Sequence, residues 1–276
     1  PQEGLDLYDR LLEENDQDLY AWVTGQTPAP EPFAGLIAGV MAWAYQYRVF
    51  DIGYQWWAFL LIFFAEDFVY YWFHRLSHEH RFWWCAHINH HTSQHYNLST
   101  ALRQTWSGNL AGTFMLWVPL AWLGFPPALI AFQSAVSLVY QFWIHTETIG
   151  RLPAPIEWIF NTPSHHRVHH AINPRYLDRN YAGILIIWDR MFGSFEPEND
   201  DEPCRYGIVK QLTTFNPIRI AIHEWADMIR DTWKTPGLVP KLMMLFGPPG
   251  WSADGSRQTS RQMRKAWQAT RSDKTV

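Results

Sequence analysis

From Gln104 to Ile144 the chain carries no charged side chain, and that uninterrupted run limits the possible folds more than any other feature of the sequence. A helix needs about 20 residues to cross the roughly 30 Å hydrocarbon core of a bilayer, because each residue advances it by about 1.5 Å. Two such helices fit into this run, and Gly124, Pro126 and Pro127 fall near its middle, where one helix would end and the chain reverse. A soluble core rarely demands so long a stretch without charge, so a transmembrane hairpin is expected. A second hairpin is expected upstream. Its first arm runs from Phe33 to Tyr47 and its second from Ile52 to Ala65, continuing past Glu66 and Asp67 to Phe73. The expected fold is all-α, an integral membrane helical bundle of two transmembrane hairpins and about four spans.

If both hairpins cross and return, the segments after Phe73 and after Ile144 emerge on the same side. Arg75, Arg81, Arg103, Arg151, Arg167, Arg175 and Arg179 flank those segments, which marks that side as cytoplasmic. The 17 Trp fit the same picture, since an indole satisfies both its apolar ring and its N–H at a membrane interface. The mean hydropathy of -0.24 averages these runs with polar ends and 13 His, and insertion depends on the local runs. A net charge of -4 without a basic cluster argues against nucleic acid as a partner. Two cysteines, Cys85 and Cys204, are too few for a disulfide scaffold and read as small buried hydrophobes.

One domain is expected at 33–251, between a polar acidic segment at 1–32 and a polar basic tail at 252–276. The tail is expected to be mobile beside anionic headgroups. Asn216 before Pro217 signals the start of an amphipathic helix whose apolar face is Ile218, Ile222, Trp225, Ile229 and Trp233, packed on the domain or laid on lipid.

The segments on the cytoplasmic side hold the histidines. His74 and His78 are spaced i,i+4, which puts both rings on one helical face. His87, His90 and His91 are spaced i,i+3,i+4, and His166, His169 and His170 repeat that spacing; His145 stands alone after the last span. One such pair arises by chance, but three clusters on one membrane face would leave many buried ring nitrogens without partners unless they hold metal. Nine candidate ligands exceed what one ion can use, so two ions are expected. Structural zinc sites usually include cysteine and hydrolytic ones need three ligands; an all-imidazole site beside lipid better suits redox iron.

These residues resemble a known family. The pattern His74 to His78, His87-Ile-Asn-His90-His91 and His166-Arg-Val-His169-His170 is similar to that of the fatty acid hydroxylase and sterol desaturase superfamily of integral-membrane di-iron oxygenases. Residues 70–75 (YYWFHR), 96–104 (YNLSTALRQ), 161–170 (NTPSHHRVHH) and 180–195 (NYAGILIIWDRMFGSF) resemble its alkylglycerol-monooxygenase-like branch. The resemblance implies that residues 33–251 form a membrane-embedded di-iron oxygenase domain with a cytoplasmic histidine-rich helical cap. It also implies that the nine histidines ligate two iron ions and that dioxygen serves to hydroxylate a C–H bond of a lipid: an alkylglycerol, a sterol or a fatty acyl chain. His165, beside the third cluster, reads as a ligand or a neighbour.

Ligating imidazoles need partners for their second nitrogen, and Asp67, Glu147 and Asn180 lead the nearby candidates, ahead of Glu66 and Asp189. An aromatic lipid channel could draw on Trp56, Trp57, Tyr70, Tyr71, Trp72, Trp106, Trp117 and Trp143. There is no nucleotide fingerprint, haem attachment or Cys-rich ferredoxin pattern, so electrons are expected from outside, from a pterin, a cytochrome or a ferredoxin. A desaturase using the same metal pair is the nearest alternative. A zinc-dependent membrane hydrolase or a non-catalytic metal-binding membrane protein is the alternative of another class, and zinc readily replaces iron in overproduced imidazole sites.

Overall fold

The apolar runs fold into helices of unequal length. The computed structural model describes residues 33–105 and 107–272; the acidic segment 1–32, Trp106 and the end of the tail lie outside the described residues. Among the described residues the helices are α1 (Phe33–Gln46), α2 (Trp56–Glu79), α3 (Arg81–His91), α4 (Leu98–Ala101), α5 (Val118–Leu123, continuing a 3₁₀ turn at Thr113–Trp117), α6 (Pro127–Ile144), α7 (Ala154–Ile159), α8 (Pro163–His170), α9 (Ile187–Met191), α10 (Pro217–Lys234), α11 (Leu238–Phe246) and α12 (Ser260–Ser272). Extended pairing among them is confined to two isolated bridges, Phe160 with Leu185 and Ala171 with Tyr206.

Two helices, α2 and α6, are long and apolar enough to cross a membrane. Only 28% and 33% of their apolar windows is buried, which is little for helices at the centre of a soluble core. The other two expected arms are shorter. α1 has 14 residues, about 21 Å of helix. The arm from Gln104 does not become regular until Thr113, because Gly112 takes a left-handed conformation (φ 71°) and the residues before it form turns.

The described residues divide into two compact units, the first comprising the chain up to Ile62 with Trp117–Ala135, the second Phe63–Leu116 with Val136 onward. In the first, α1 packs on α5, and the chain leaving α1 is laced to the end of α5 by Val49 N–H to the Trp122 carbonyl (2.8 Å) and Phe50 N–H to the Leu123 carbonyl (3.2 Å). Gly124 caps α5 at the expected turn with φ 120°, and a Cβ there would stand 2.0 Å from the Phe50 carbonyl oxygen, so no other residue fits. Trp43, Phe50, Trp56, Leu60 and Trp122 are exposed around this unit, a concentration of apolar surface that suits contact with lipid.

The second unit is built on the lower turns of α2, with Tyr71, Val168, Tyr176, Tyr181 and Ile186 fully buried. Arg81, at the start of α3, is buried and donates to Glu224 and Asp231 on α10 (both 2.8 Å), so a desolvated ion-pair triad ties α3 to α10. α10 starts where expected, with Pro217 in its first turn and the Asn216 side chain accepting from Arg219 N–H (3.0 Å). Of its apolar face, Ile218, Ile222, Ile229 and Trp233 are exposed, whereas Trp225 turns inward and donates to Ser107 Oγ (3.0 Å). Part of the basic tail is helical, as α12. Its cations find partners within the unit, as Arg257 pairs with Asp231 (2.8 Å) and Arg264 donates to the Leu177 carbonyl.

Candidate metal centre

Four segments deliver the histidines: the last turns of α2, the C-terminal half of α3, the residue that follows α6, and α8. All nine expected ligands come together, in two groups. His74, His78, His87, His91 and His169 form one, His90, His145, His166 and His170 the other, and within each group one nitrogen from every ring lies within 4.8 Å of the rest. The i,i+3,i+4 triplets divide between the groups for a geometric reason. Residues i and i+4 lie on nearly the same face of a helix, while their neighbour at i+3 is turned about 100° from i+4. On α3, His87 and His91 therefore enter the five-membered group and His90 the other; on α8, His166 and His170 enter the four-membered group and His169 the other. The two groups abut, with His91 and His170 stacked across the boundary at 4.4 Å between ring centroids.

The second nitrogens reveal which atoms face inward. His74 Nδ1–H donates to the Tyr181 carbonyl (2.8 Å), His145 Nδ1–H to Gln141 (2.6 Å) and His169 Nδ1–H to Arg179 (3.0 Å). A carbonyl can only accept, so in each neutral ring Nε2 is left as a bare lone pair. These lone pairs crowd other ring nitrogens: His74 Nε2 lies 3.1 Å from His87 Nε2, and His145 Nε2 lies 3.0 Å from His166 Nε2 and 3.3 Å from His90 Nε2. His78 Nε2, His169 Nε2, His170 Nε2 and His166 Nδ1 are buried without any hydrogen-bond partner.

Protonation does not relieve this crowding. Burial, reinforced by neighbouring imidazoles, pushes His91, His166, His169 and His170 well below the ordinary histidine range. Burial likewise lowers His90 to about 3 and His145 to about 4. Neutral imidazoles with converging lone pairs and orphaned nitrogens fit metal cations, and an all-nitrogen set suits iron, zinc, copper or nickel.

His165 lies outside both groups. Its Nε2 is 2.9 Å from Glu157 Oε2 and its Nδ1 is 3.2 Å from the Phe160 carbonyl, while Glu157 also accepts from Thr162, Ser164 and Leu152 N–H. Those contacts hold the Glu157 carboxyl down at about 2 despite its partial burial.

Asp67 and Asn180 are fully buried beside the centre, but their hydrogen bonds run to other groups than the histidine rings. Asp67 accepts from Ile184 N–H (2.7 Å), Leu185 N–H (3.0 Å) and Trp188 Nε1–H (2.9 Å). Asn180 donates to the His165 and Glu196 carbonyls and accepts from Glu196 N–H. Asp189 accepts from Tyr181 N–H and Ala182 N–H (both 2.8 Å), with its carboxyl raised by burial to about 6. Glu147 is exposed, and its side chain bonds to Tyr206. The acceptors that do reach ring nitrogens are mostly main-chain carbonyls, which no residue type announces; one side chain, Asp178, stands 3.5 Å from His78 Nδ1.

A cavity of about 1270 Å³ reaches His78, His91, His169 and His170. Its walls come from α3, α10 and the loops near 172, 208 and 257, with Trp84, Ile88, Leu177, Ile218 and Ile222 among the apolar members and Arg81, Arg219 and Arg257 among the polar ones. Of the aromatic set expected to line a channel, Trp56 and Trp57 are exposed and Tyr71 is buried with its hydroxyl on Ser194, none of the three at this cavity, while Trp106 lies outside the described residues.

Comparison with known proteins follows the same boundaries. The fatty acid hydroxylase family model matches residues 59–194, a range that contains all nine histidines. A second model, flavinator of succinate dehydrogenase, matches residues 1–42, most of which lie outside the described residues. The alkylglycerol monooxygenase of Xenopus tropicalis is 47% identical over 201 residues (73% of this chain, 43% of that protein), and that of Homo sapiens 46% over 206 residues (74% and 45%). The alkylglycerol monooxygenase of Danio rerio is 45% identical over 202 residues (73% and 44%). The chain thus spans less than half the length of these relatives. No solved structure matches.

Proposed function

This chain belongs to the fatty acid hydroxylase family through its domain at residues 59–194, and from that premise we propose that it is a membrane-bound non-haem di-iron monooxygenase that hydroxylates a C–H bond of a lipid. The observation that carries the reading is the convergence of nine buried imidazoles as two adjacent groups with inward lone pairs. His74, His78, His87, His91 and His169 hold one ion and His90, His145, His166 and His170 the other. When bound, two irons supply the activation of dioxygen and the oxidation of the C–H bond.

The chain's own part is to orient and enclose. The Tyr181, Gln141 and Arg179 carbonyls set ring tautomers, so that Nε2 of His74, His145 and His169 is ready to ligate without a change of protonation. The cavity walled by Trp84, Ile88, Ile218 and Ile222 takes the apolar part of the substrate to His78, His91, His169 and His170. An ether lipid of the alkylglycerol type is the favoured substrate, because the relatives that align over about three quarters of the chain are alkylglycerol monooxygenases. Electrons come from a donor outside the chain, a pterin, cytochrome or ferredoxin system. α2 and α6 span the bilayer, the shorter α1 and α5 are embedded as a packed pair, and the centre faces the cytoplasm, as the arginines flanking it indicate.

The test supplies iron, a reductant and labelled dioxygen to the purified chain with a lipid extract and seeks, by mass spectrometry, a lipid that gains one labelled oxygen. His90→Ala and His169→Ala remove one ligand from each group and should abolish that product while the protein still folds. A product that loses two hydrogens and gains no oxygen would make the enzyme a desaturase, and full turnover in both variants would overturn the site.

A further inference from the structure

Within the five-histidine group, three of the rings have their outward nitrogen directed at a single four-residue segment. His74 Nδ1 meets the Tyr181 carbonyl (2.8 Å), His169 Nδ1 the Arg179 carbonyl (3.0 Å) and His78 Nδ1 the Asp178 carboxylate (3.5 Å). None of the four-histidine group is served by it; there His145 uses the carbonyl of Gln141, one turn back in α6. The two carbonyls come from alternate residues, and the residue before each, Asp178 and Asn180, adopts a left-handed conformation (φ 52° and 55°). These are the only non-glycine residues with positive φ among those described. Asp and Asn tolerate that region best of the non-glycine types, because their short polar side chains bond locally.

The surroundings hold the segment in this shape. Asn180 N–H donates to the Ser194 carbonyl (3.1 Å), and its side chain is pinned by His165 and Glu196. The buried Asp189 carboxylate takes Tyr181 N–H and Ala182 N–H. Backbone forced into a sparsely populated conformation persists where the structure over-determines it, and such positions gather at functional sites.

We infer that Asp178–Tyr181 is the positioning device of the five-histidine site: a left-handed pair aims two carbonyls and one carboxylate at His169, His74 and His78, and so presets that site independently of its neighbour. The inference rests on the two-ion reading above. Asp178 is its one side-chain acceptor and lies at the wall of the cavity, partly accessible, so it can be changed without disturbing the core. Partners of ligand histidines typically change metal affinity by about 10- to 100-fold when lost.

The experiment uses the full chain in detergent with cobalt(II), whose visible absorption reports coordination, and measures metal retained per chain against rising chelator. Asp178→Asn keeps the left-handed preference and the shape but removes the charge. The expected result is two cobalt ions in the parent and, in Asp178→Asn, one ion released at roughly tenfold lower chelator with an altered absorption band while the other is retained as before. His165→Gln, whose ring contacts neither group, serves as the control and should titrate as the parent does. Identical release in Asp178→Asn and parent, or equal weakening of both ions, overturns the inference and leaves the two-ion reading standing. A parent chain that holds fewer than two ions overturns that reading itself, and the positioning role with it.

Discussion

Asp67 offers the sharpest check on how the centre is held, because its carboxylate is wholly buried and its three hydrogen bonds all run to the segment that follows Tyr181. In Asp67→Asn the amide takes the orientation that keeps its oxygen on Leu185 N–H and Trp188 Nε1–H, so its NH₂ group faces Ile184 N–H and one buried donor loses its acceptor and meets another donor. A single buried donor left unsatisfied costs about 1–3 kcal/mol, and that is the expected loss. For a chain of this size each kcal/mol moves Tm by about 2–4 °C, so the variant should melt about 2–12 °C lower. Asp67→Ala should fall further, since all three donors are stranded and a small void is added. Tryptophan fluorescence during heating of the purified, metal-free protein in detergent reads the shift. The role assigned to Asp67 is refuted if Asp67→Asn melts within about 1 °C of the parent, and the case for direct chemistry becomes stronger if such a variant has also lost turnover.

Three further outcomes are expected. Arg81→Ala strands the Glu224 carboxylate and leaves Asp231 to Arg257 alone, and should cost about 3 kcal/mol, seen as lowered Tm, whereas the parent stability would show that the triad contributes nothing net. His165→Gln should retain both metal ions in elemental analysis, because both of its nitrogens are committed to Glu157 and Phe160; loss of an ion would make it a ligand. Acid should unfold the metal-free chain: His145 and His90 titrate near the ordinary 6.5 when unfolded but at about 4 and about 3 when folded, so the unfolded state binds more protons below pH 6.5. Stability is therefore full above that pH and is lost progressively as pH falls toward 3, and a flat chemical-denaturation midpoint between pH 7 and 4 would contradict the burial of those rings.

Much of the centre was legible because helix periodicity is a local property. The i,i+4 and i,i+3,i+4 spacings pointed to eight of the nine rings that converge, and since neighbours on a helix are turned about 100° apart, those spacings also separate, within α3 and within α8, the i+3 ring from the other two. The lone His145 was legible only through its position after a charge-free run. The lengths of the spans were less so. Gly112 in a left-handed turn shortens one arm and α1 stops at Gln46, details that depend on backbone conformation and on the packing of α1 against α5.

By itself, then, the sequence determined the helical class, the apolar runs, the start of α10 and the identity of the converging histidines, because each of these follows from residue type and spacing along one element. Tertiary structure alone decided how the ring faces of separate helices combine into the two groups, that His165 turns to Glu157 instead, and that Asp67 and Asp189 hold main-chain N–H groups, and in the case of Asp67 the Trp188 indole, rather than imidazole. It alone also decided that the basic tail forms a helix over Ser260–Ser272 and that Arg257 and Arg264 meet Asp231 and the Leu177 carbonyl. The physical reason is that the acceptors orienting the rings are chiefly carbonyls, which every residue possesses. Only the path of the chain in space, here the left-handed turn through Asp178 and Asn180, selects the few that a histidine meets.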